Sequence, residues 1–223
     1  MTISDFTAAA CGERGRRLVL AVVFTICSAG SAQAAADPAD EASVFIRDFG
    51  DEAIAMLKDE DLTSDERSEE FRRLLVEGFH MDAISKFVLG RHYRKLDEAT
   101  RDEYQNAFED FVVATYSRRL DAYAGETLEV GLARKQRKDF LVETWVYSTE
   151  RPKIRVDWRV RKIDEGWKIL DVSVEGLSMV VTQRSEFASV IQSSGGDLEP
   201  LLSLMRDKAA TLQASSTAST ATN

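Results

Sequence analysis

Reactive side chains are sparse in this 223-residue chain, and they fall in places that argue against catalysis. His80 and His92 are the two histidines, and neither has a second histidine or a cysteine at a spacing that could hold a metal. Each reads as a surface or half-buried residue at a helix end. Gly176-Leu177-Ser178-Met179-Val180 approaches the GxSxG nucleophile elbow, but Val180 stands where the second glycine belongs. The strand before it alternates in polarity, whereas that motif needs a buried parallel strand. Ser178 is therefore not expected to be a nucleophile. Acidic pairs such as Glu69-Glu70 and Glu109-Asp110 lie opposite apolar stripes, where a solvated helix face accounts for them. No glycine loop of the Walker or Rossmann type is present. The reading is of a non-enzyme with no catalytic residue, no metal site and no cofactor.

Charge gives one further candidate. Ten basic residues between 134 and 162, from Arg134 and Lys135 to Arg161 and Lys162, stand against Asp139, Glu143, Glu150 and Asp157. They form either a solvated sheet face with positive hairpin tips that blunt an edge, or a docking patch for an anionic membrane or acidic partner. The chain as a whole carries a net charge of −9, which argues against a general nucleic-acid binder.

These residues are positioned by two kinds of pattern. From Ser43 to Arg94 the period is helical in three pieces. The first carries Phe45, Phe49, Ala53 and Met56. The second is announced by the capping box Thr63-Ser64-Asp65-Glu66 and buries Phe71, Leu74 and Leu75. The third holds Ile84, Phe87 and Val88. A longer helix begins near Asp97 and carries one apolar stripe from Tyr104 through Phe108, Phe111, Val112, Thr115 and Leu120 to Tyr123, ended by Gly125. The period then falls to two, with strands predicted at 127–133, 139–148, 153–162 and 166–175. Leu128, Val130 and Leu132 form the apolar side of the first, and Ile154, Val156, Trp158 and Val160 that of the third. Short turns imply an antiparallel meander covered by helices. Helices over 182–191 and from Asp197 to about Gln213 follow, the latter with Pro200 in its first turn.

The ends are read as processing and tail segments. Arg14, Arg16 and Arg17 precede the apolar run 18–27 and the small residues around Ala32-Gln33-Ala34, the three parts of a secretory signal peptide. Residues 1–34 are taken as that signal, with cleavage after Ala34 or Ala36. The apolar run is about half the roughly 20 residues of a membrane span. Both cysteines, Cys11 and Cys27, lie in this segment, so packing alone must stabilise the exported chain. Residues 35–213 form one domain, and 214–223, rich in Ser, Thr and Ala, a disordered tail.

One junction is unusual. Val172 and Val174 alternate as in a strand, Phe187, Val190 and Ile191 recur as in a helix, and Leu177, Met179, Val180 and Val181 fill the turn between. Turns are normally polar, so something apolar is expected to cover this one.

Residues 87–130, with Leu89-Gly90, Tyr93 and the Tyr116 to Gly125 helix end, together with 167–191, with Val174-Glu175-Gly176-Leu177-Ser178-Met179, resemble the MlaC or toluene-tolerance family. The likeness runs from about Ser43 to Met205. It implies an α+β fold: an NTF2-like curved antiparallel sheet of about four strands, wrapped by N-terminal and C-terminal helices around a lipid cavity. It implies a monomeric periplasmic carrier whose cargo is phospholipid. The partners would be an outer-membrane lipoprotein complex and an inner-membrane MCE-domain ABC transporter, with no nucleic acid. A hopanoid-associated branch, HpnM, is the alternative, and an NTF2-like enzyme a more distant one. The lining implied on the long helix is Phe108, Val112, Tyr116 and Leu120, and on the sheet Val146, Val156 and Trp158. At the junction it is Leu177, Met179, Val180 and Phe187, with Leu177 to Val181 facing acyl tails rather than water.

Overall fold

The computed structural model describes residues 37–120, 123–149 and 151–220, without the side chains of 118–120 and 212–220. Residues 1–34, read from the sequence as a signal peptide, therefore lie outside the described residues. Among these, six helices and five strands are present: α1 Pro38–Lys58, α2 Ser64–Gly78, α3 Met81–Leu89, a 3-10 turn Gly90–Lys95, α4 Glu98–Leu120, β1 Thr127–Gln136, β2 Asp139–Tyr147, β3 Ile154–Ile163, β4 Gly166–Val174, β5 Leu177–Ser178, α5 Met179–Ser193 and α6 Glu199–Thr220. The α+β class and the antiparallel meander agree with the sequence reading. The sheet has the order β1-β2-β3-β4-β5, one strand more than expected.

Local chemistry explains the helix starts. Thr63 and Glu66 make the reciprocal capping box at α2, each satisfying a backbone N–H of the other. Asp37 caps α1, with Pro38 in the first turn, where a missing N–H costs nothing. Asp97 Oδ1 accepts from the Thr100 N–H at 2.8 Å at the head of α4. The hairpin turns use left-handed residues, Arg137 (φ 60°) between β1 and β2 and Glu175-Gly176 (φ 48° and 81°) between β4 and β5. The Glu175-Gly176 pair matches the twist of its flanking strands.

Three differences from the sequence reading have identifiable causes. In β1 the register shifts between Val130 and Ala133, so Ala133 takes the inward place and Leu132 turns out, 84% exposed. The extra residue of this bulge is held from α1: Ser43 Oγ donates to the Gly131 carbonyl and accepts from the Ala133 N–H, at 3.2 and 3.0 Å. Second, α6 continues to Thr220, past Gln213 and over most of the Ser/Thr/Ala-rich end; the alanines there are strong helix formers, and a helix already nucleated gains a bond for each residue added. Third, Phe87 sits on the exposed side of α3, its ring beneath the Arg184 guanidinium at 4.9 Å.

The buried apolar residues form two clusters. The helical one joins Ile84, Val88 and Leu89 of α3, Tyr104, Phe108 and Phe111 of α4, Val180, Phe187 and Ile191 of α5, and Leu201 and Met205 of α6. The other sets Ala42 and Ile46 of α1 on Val142, Val160 and Ile169 of the sheet. Among the described residues, Phe79 is the side chain packed against both. It lies between α2 and α3, next to His80, whose N–H donates to the Ile169 carbonyl at 2.9 Å. One aromatic residue thus bridges helical and sheet halves of the core.

Candidate functional site

The site residues implied by the sequence divide among different surroundings. Phe108, Val180 and Phe187 are interior members of the helical cluster, and Val112 packs against it. The Phe187 ring meets Phe108 and Phe111 edge-on at 6.1 and 5.6 Å, a packing geometry favoured by aromatic quadrupoles. These contacts make a well-packed core and assign those three residues a structural role at least.

Val146, Val156 and Trp158 share the sheet's inner face, in register through Val146↔Ile154, Thr144↔Val156 and Val142↔Trp158. Trp158 packs toward α1, edge-on to Phe49 at 5.8 Å. Its Nε1–H donates to Thr144 Oγ1 at 3.0 Å, and Thr144 Oγ1 donates on to the Val156 carbonyl at 2.9 Å. A buried hydroxyl is thereby satisfied in the middle of an apolar sheet face. Val156, 8% exposed, is buried yet belongs to neither cluster.

The long helix has a second buried face that the single stripe did not anticipate. At about 100° per residue, Val113 and Ser117 are turned roughly 140° and 180° from Phe108, yet both are buried, as is Ala114. At the middle of α4 that side carries Glu109 and Asp110. They are clamped by Arg72 of α2 at 2.7 and 2.8 Å rather than merely solvated. From Phe111 to Ala114 the helix is apolar on both sides, the pattern of an enclosed helix. The hydroxyls Thr115 Oγ1 and Ser117 Oγ are buried with no hydrogen-bond partner among the described residues. Each such group costs about 1–3 kcal/mol. Tyr116 is half-buried on the same stretch, and the side chain of Leu120 lies outside the described residues.

The junction corrects one expectation outright. Leu177 is 72% and Val181 51% exposed, so neither faces an interior. Glu175-Gly176 turns the chain back as β5, and Ser178 then fixes the direction of α5. Its Oγ accepts from the Val181 N–H at 3.2 Å and donates to Asp171 Oδ2 at 2.6 Å, while the Val180 N–H donates to Asp171 Oδ1 at 3.3 Å. A carboxylate at a helix N-terminus is well placed for the dipole. This frame turns Val180, Phe187 and Ile191 inward and Leu177 and Val181 outward, with Met179 half-buried. Ser178 serves as a cap, and its hydroxyl faces a carboxylate rather than a histidine.

The remaining reactive groups are also placed by structure. His80 stands at the head of α3. His92 lies in the 3-10 turn, where partial burial, then the charges of Arg91 and Lys95, hold its imidazole below the ordinary value. Much of the basic segment is neutralised locally: Arg155 by Asp157 and Glu143, Arg159 and Arg161 by Asp139, Lys162 by Glu41, Arg151 by Glu126. The hairpin tip, Arg134 to Lys138, is left exposed. Among the described residues no group of three His, Cys, Asp or Glu could hold a metal ion, and no helix is long and apolar enough to cross a membrane.

Comparison with known proteins agrees with this architecture. A solved phospholipid-binding protein from Ralstonia solanacearum, determined in complex with a phospholipid, matches 78% of this chain and 99% of its own. The identity is 21% and the TM-score 0.68, which establishes the shared fold. The family model for the MlaC protein matches residues 47–207, from α1 to α6. The chain belongs to the MlaC family.

Proposed function

We propose that this protein is a periplasmic, non-enzymatic carrier that binds phospholipid by its acyl chains and shuttles it between outer-membrane and inner-membrane complexes of an ABC transport system. The observation that carries the reading is the divided core, with a second buried face on α4 and a buried sheet face at Val156 outside both clusters. We assign the acyl chains to a cavity walled by Val146, Val156 and Tyr116. Membership of the MlaC family and the phospholipid held by the Ralstonia solanacearum protein of the same fold support this assignment.

The mechanism is burial. At about 0.8 kcal/mol per CH₂, a sixteen-carbon chain leaving water contributes up to about 12 kcal/mol. Escape into bulk water is then very slow, and transfer requires a partner that opens the cavity while shielding the tails. The test is transfer itself: donor vesicles with labelled phospholipid, purified protein, and acceptor vesicles carrying the inner-membrane complex. Label should reach the protein stoichiometrically and move on when the complex is present. Protein that never acquires label refutes the carrier reading. A hopanoid preferred over glycerophospholipid in competition would instead favour the HpnM alternative.

A further inference from the structure

A cleft of about 550 Å³ opens beside the C-terminal ends of α3 and α5. Its floor is apolar, with Val88, Leu89 and Ile191, and its polar lining includes Arg91, His92 and Arg184. Among the described residues no carboxylate lines it, in a chain whose net charge is −9. Arg184 is held in place before any ligand arrives. Its Nη1 donates to the Phe87 carbonyl at 3.2 Å, and its guanidinium lies 4.9 Å from the Phe87 ring centre. Gly90 makes room for it, because a Cβ there would come within 3.0 Å of Arg184 Nη2. The φ of Gly90, +60°, is also one that other residues adopt reluctantly. On the other wall Arg91 Nε contacts His92 Nε2 at 3.4 Å. Two guanidiniums and an imidazole thus converge on one opening, and neither Arg91 nor Arg184 is ion-paired to a carboxylate among the described residues.

We propose that this cleft binds a phosphate ester, the phosphate between Arg91 and Arg184 and the organic part over Val88, Leu89 and Ile191. Guanidinium forks match phosphate oxygens bidentately, and the volume exceeds what a bare phosphate needs. The ester comes either from a soluble metabolite or from the headgroup of a lipid in a membrane. The site is separate from the acyl-chain reading and stands or falls independently of it.

The chain contains two histidines, so imidazole NMR gives a built-in probe and a control. His92 faces Arg91, Lys95 and, across the cleft, Arg184. An anion placed there offsets their charge and raises the His92 titration midpoint, while the His80 signal, from outside the cleft lining, serves as the control. The purified protein is titrated separately with inorganic phosphate, glycerol 3-phosphate, and vesicles of phosphatidylglycerol or phosphatidylcholine, against chloride at equal ionic strength. Glycerol 3-phosphate should move His92 at concentrations where chloride does not. Arg184→Gln and, independently, Arg91→Gln should each weaken that response at least about tenfold by removing a charged fork. Arg137→Gln, at the β1–β2 turn, should leave it intact. A response to soluble ester alone assigns a metabolite, and one to vesicles as well assigns a headgroup; both uphold the site. A His92 response equal to that of chloride, or unchanged in both cleft arginine variants with their folds intact, overturns it.

Discussion

A carboxylate placed at Val180 and one placed at Val156 should have opposite consequences, although both valines are 8% exposed. Val180 is surrounded by Phe108, Phe187 and the rest of the helical cluster, with the Asp171 carboxylate already on its N–H. Replacing it by Glu forfeits about 1.5–3 kcal/mol of apolar burial. Keeping the new carboxyl neutral at pH 7 costs about 1.4 kcal/mol for each of roughly 2.7 pH units, near 4 kcal/mol. The sum, about 5–7 kcal/mol, rivals the whole stability of an ordinary domain, about 5–15 kcal/mol. At roughly 2–4 °C per kcal/mol for a domain of this size, Val180→Glu should melt about 10–28 °C lower or fail to fold. Val156 is buried outside both clusters. If it walls a lipid cavity, water enters once the tails are gone, the Glu ionises, and the cost falls to about 1–2 kcal/mol. Val156→Glu should then fold with a melting point within about 8 °C of the parent and carry at least tenfold less lipid. Thermal melting and mass spectrometry of extracted lipid are run on both variants. A folded Val156→Glu protein with its full lipid complement refutes the placement of the cavity, and a stable Val180→Glu protein refutes the dry helical core.

Ser178→Ala removes the cap of α5 and a hydrogen bond to Asp171, so stability should fall by about 1–2 kcal/mol in denaturant titration, with lipid content and any esterase background unchanged. Thr63→Ala breaks the capping box and should cost about 1 kcal/mol in the same assay. Glu66 is held below its ordinary value by the Thr63 backbone N–H and then its side chain. Its contribution is present above the unfolded carboxylate range and is lost as pH falls through the depressed folded value, so the gap between parent and Thr63→Ala should narrow in acid. His92 has the opposite consequence. Its depressed folded value means the unfolded chain binds the proton more readily, so His92→Gln should lessen the stability lost as pH falls through about 6.5 and below. Leu132→Thr, at the exposed bulge residue, should change the melting point by less than about 2 °C, since the side chain is already in water.

Short polar turns made β2 and β4 legible almost to the residue, and strict alternation did so for β3. The same rule misplaced Leu132, since the bulge depends on Ser43, ninety positions from Ala133 and unrelated to it by any local pattern. The apolar junction was recognised as unusual, but its direction was set by Asp171 receiving Ser178 and the Val180 N–H. Hydrophobicity alone could not tell that Leu177 and Val181 would point outward. On α4 the turn-by-turn spacing showed one stripe. The second face appears where the acids stop, after Asp110, and a window that averages the whole helix hides it. The cleft was invisible for a simpler reason: Arg91 and Arg184 are far apart in sequence, and each alone resembles a surface cation.

A carrier of the proposed kind holds lipid in its interior. The direct measurement is mass spectrometry of protein purified without detergent, recorded intact under native conditions and again after solvent extraction. The account predicts a complex heavier than the polypeptide by about one phospholipid, with glycerophospholipid recovered in near-equal amount. Polypeptide mass alone, with no lipid recovered in proportion to protein, would contradict it.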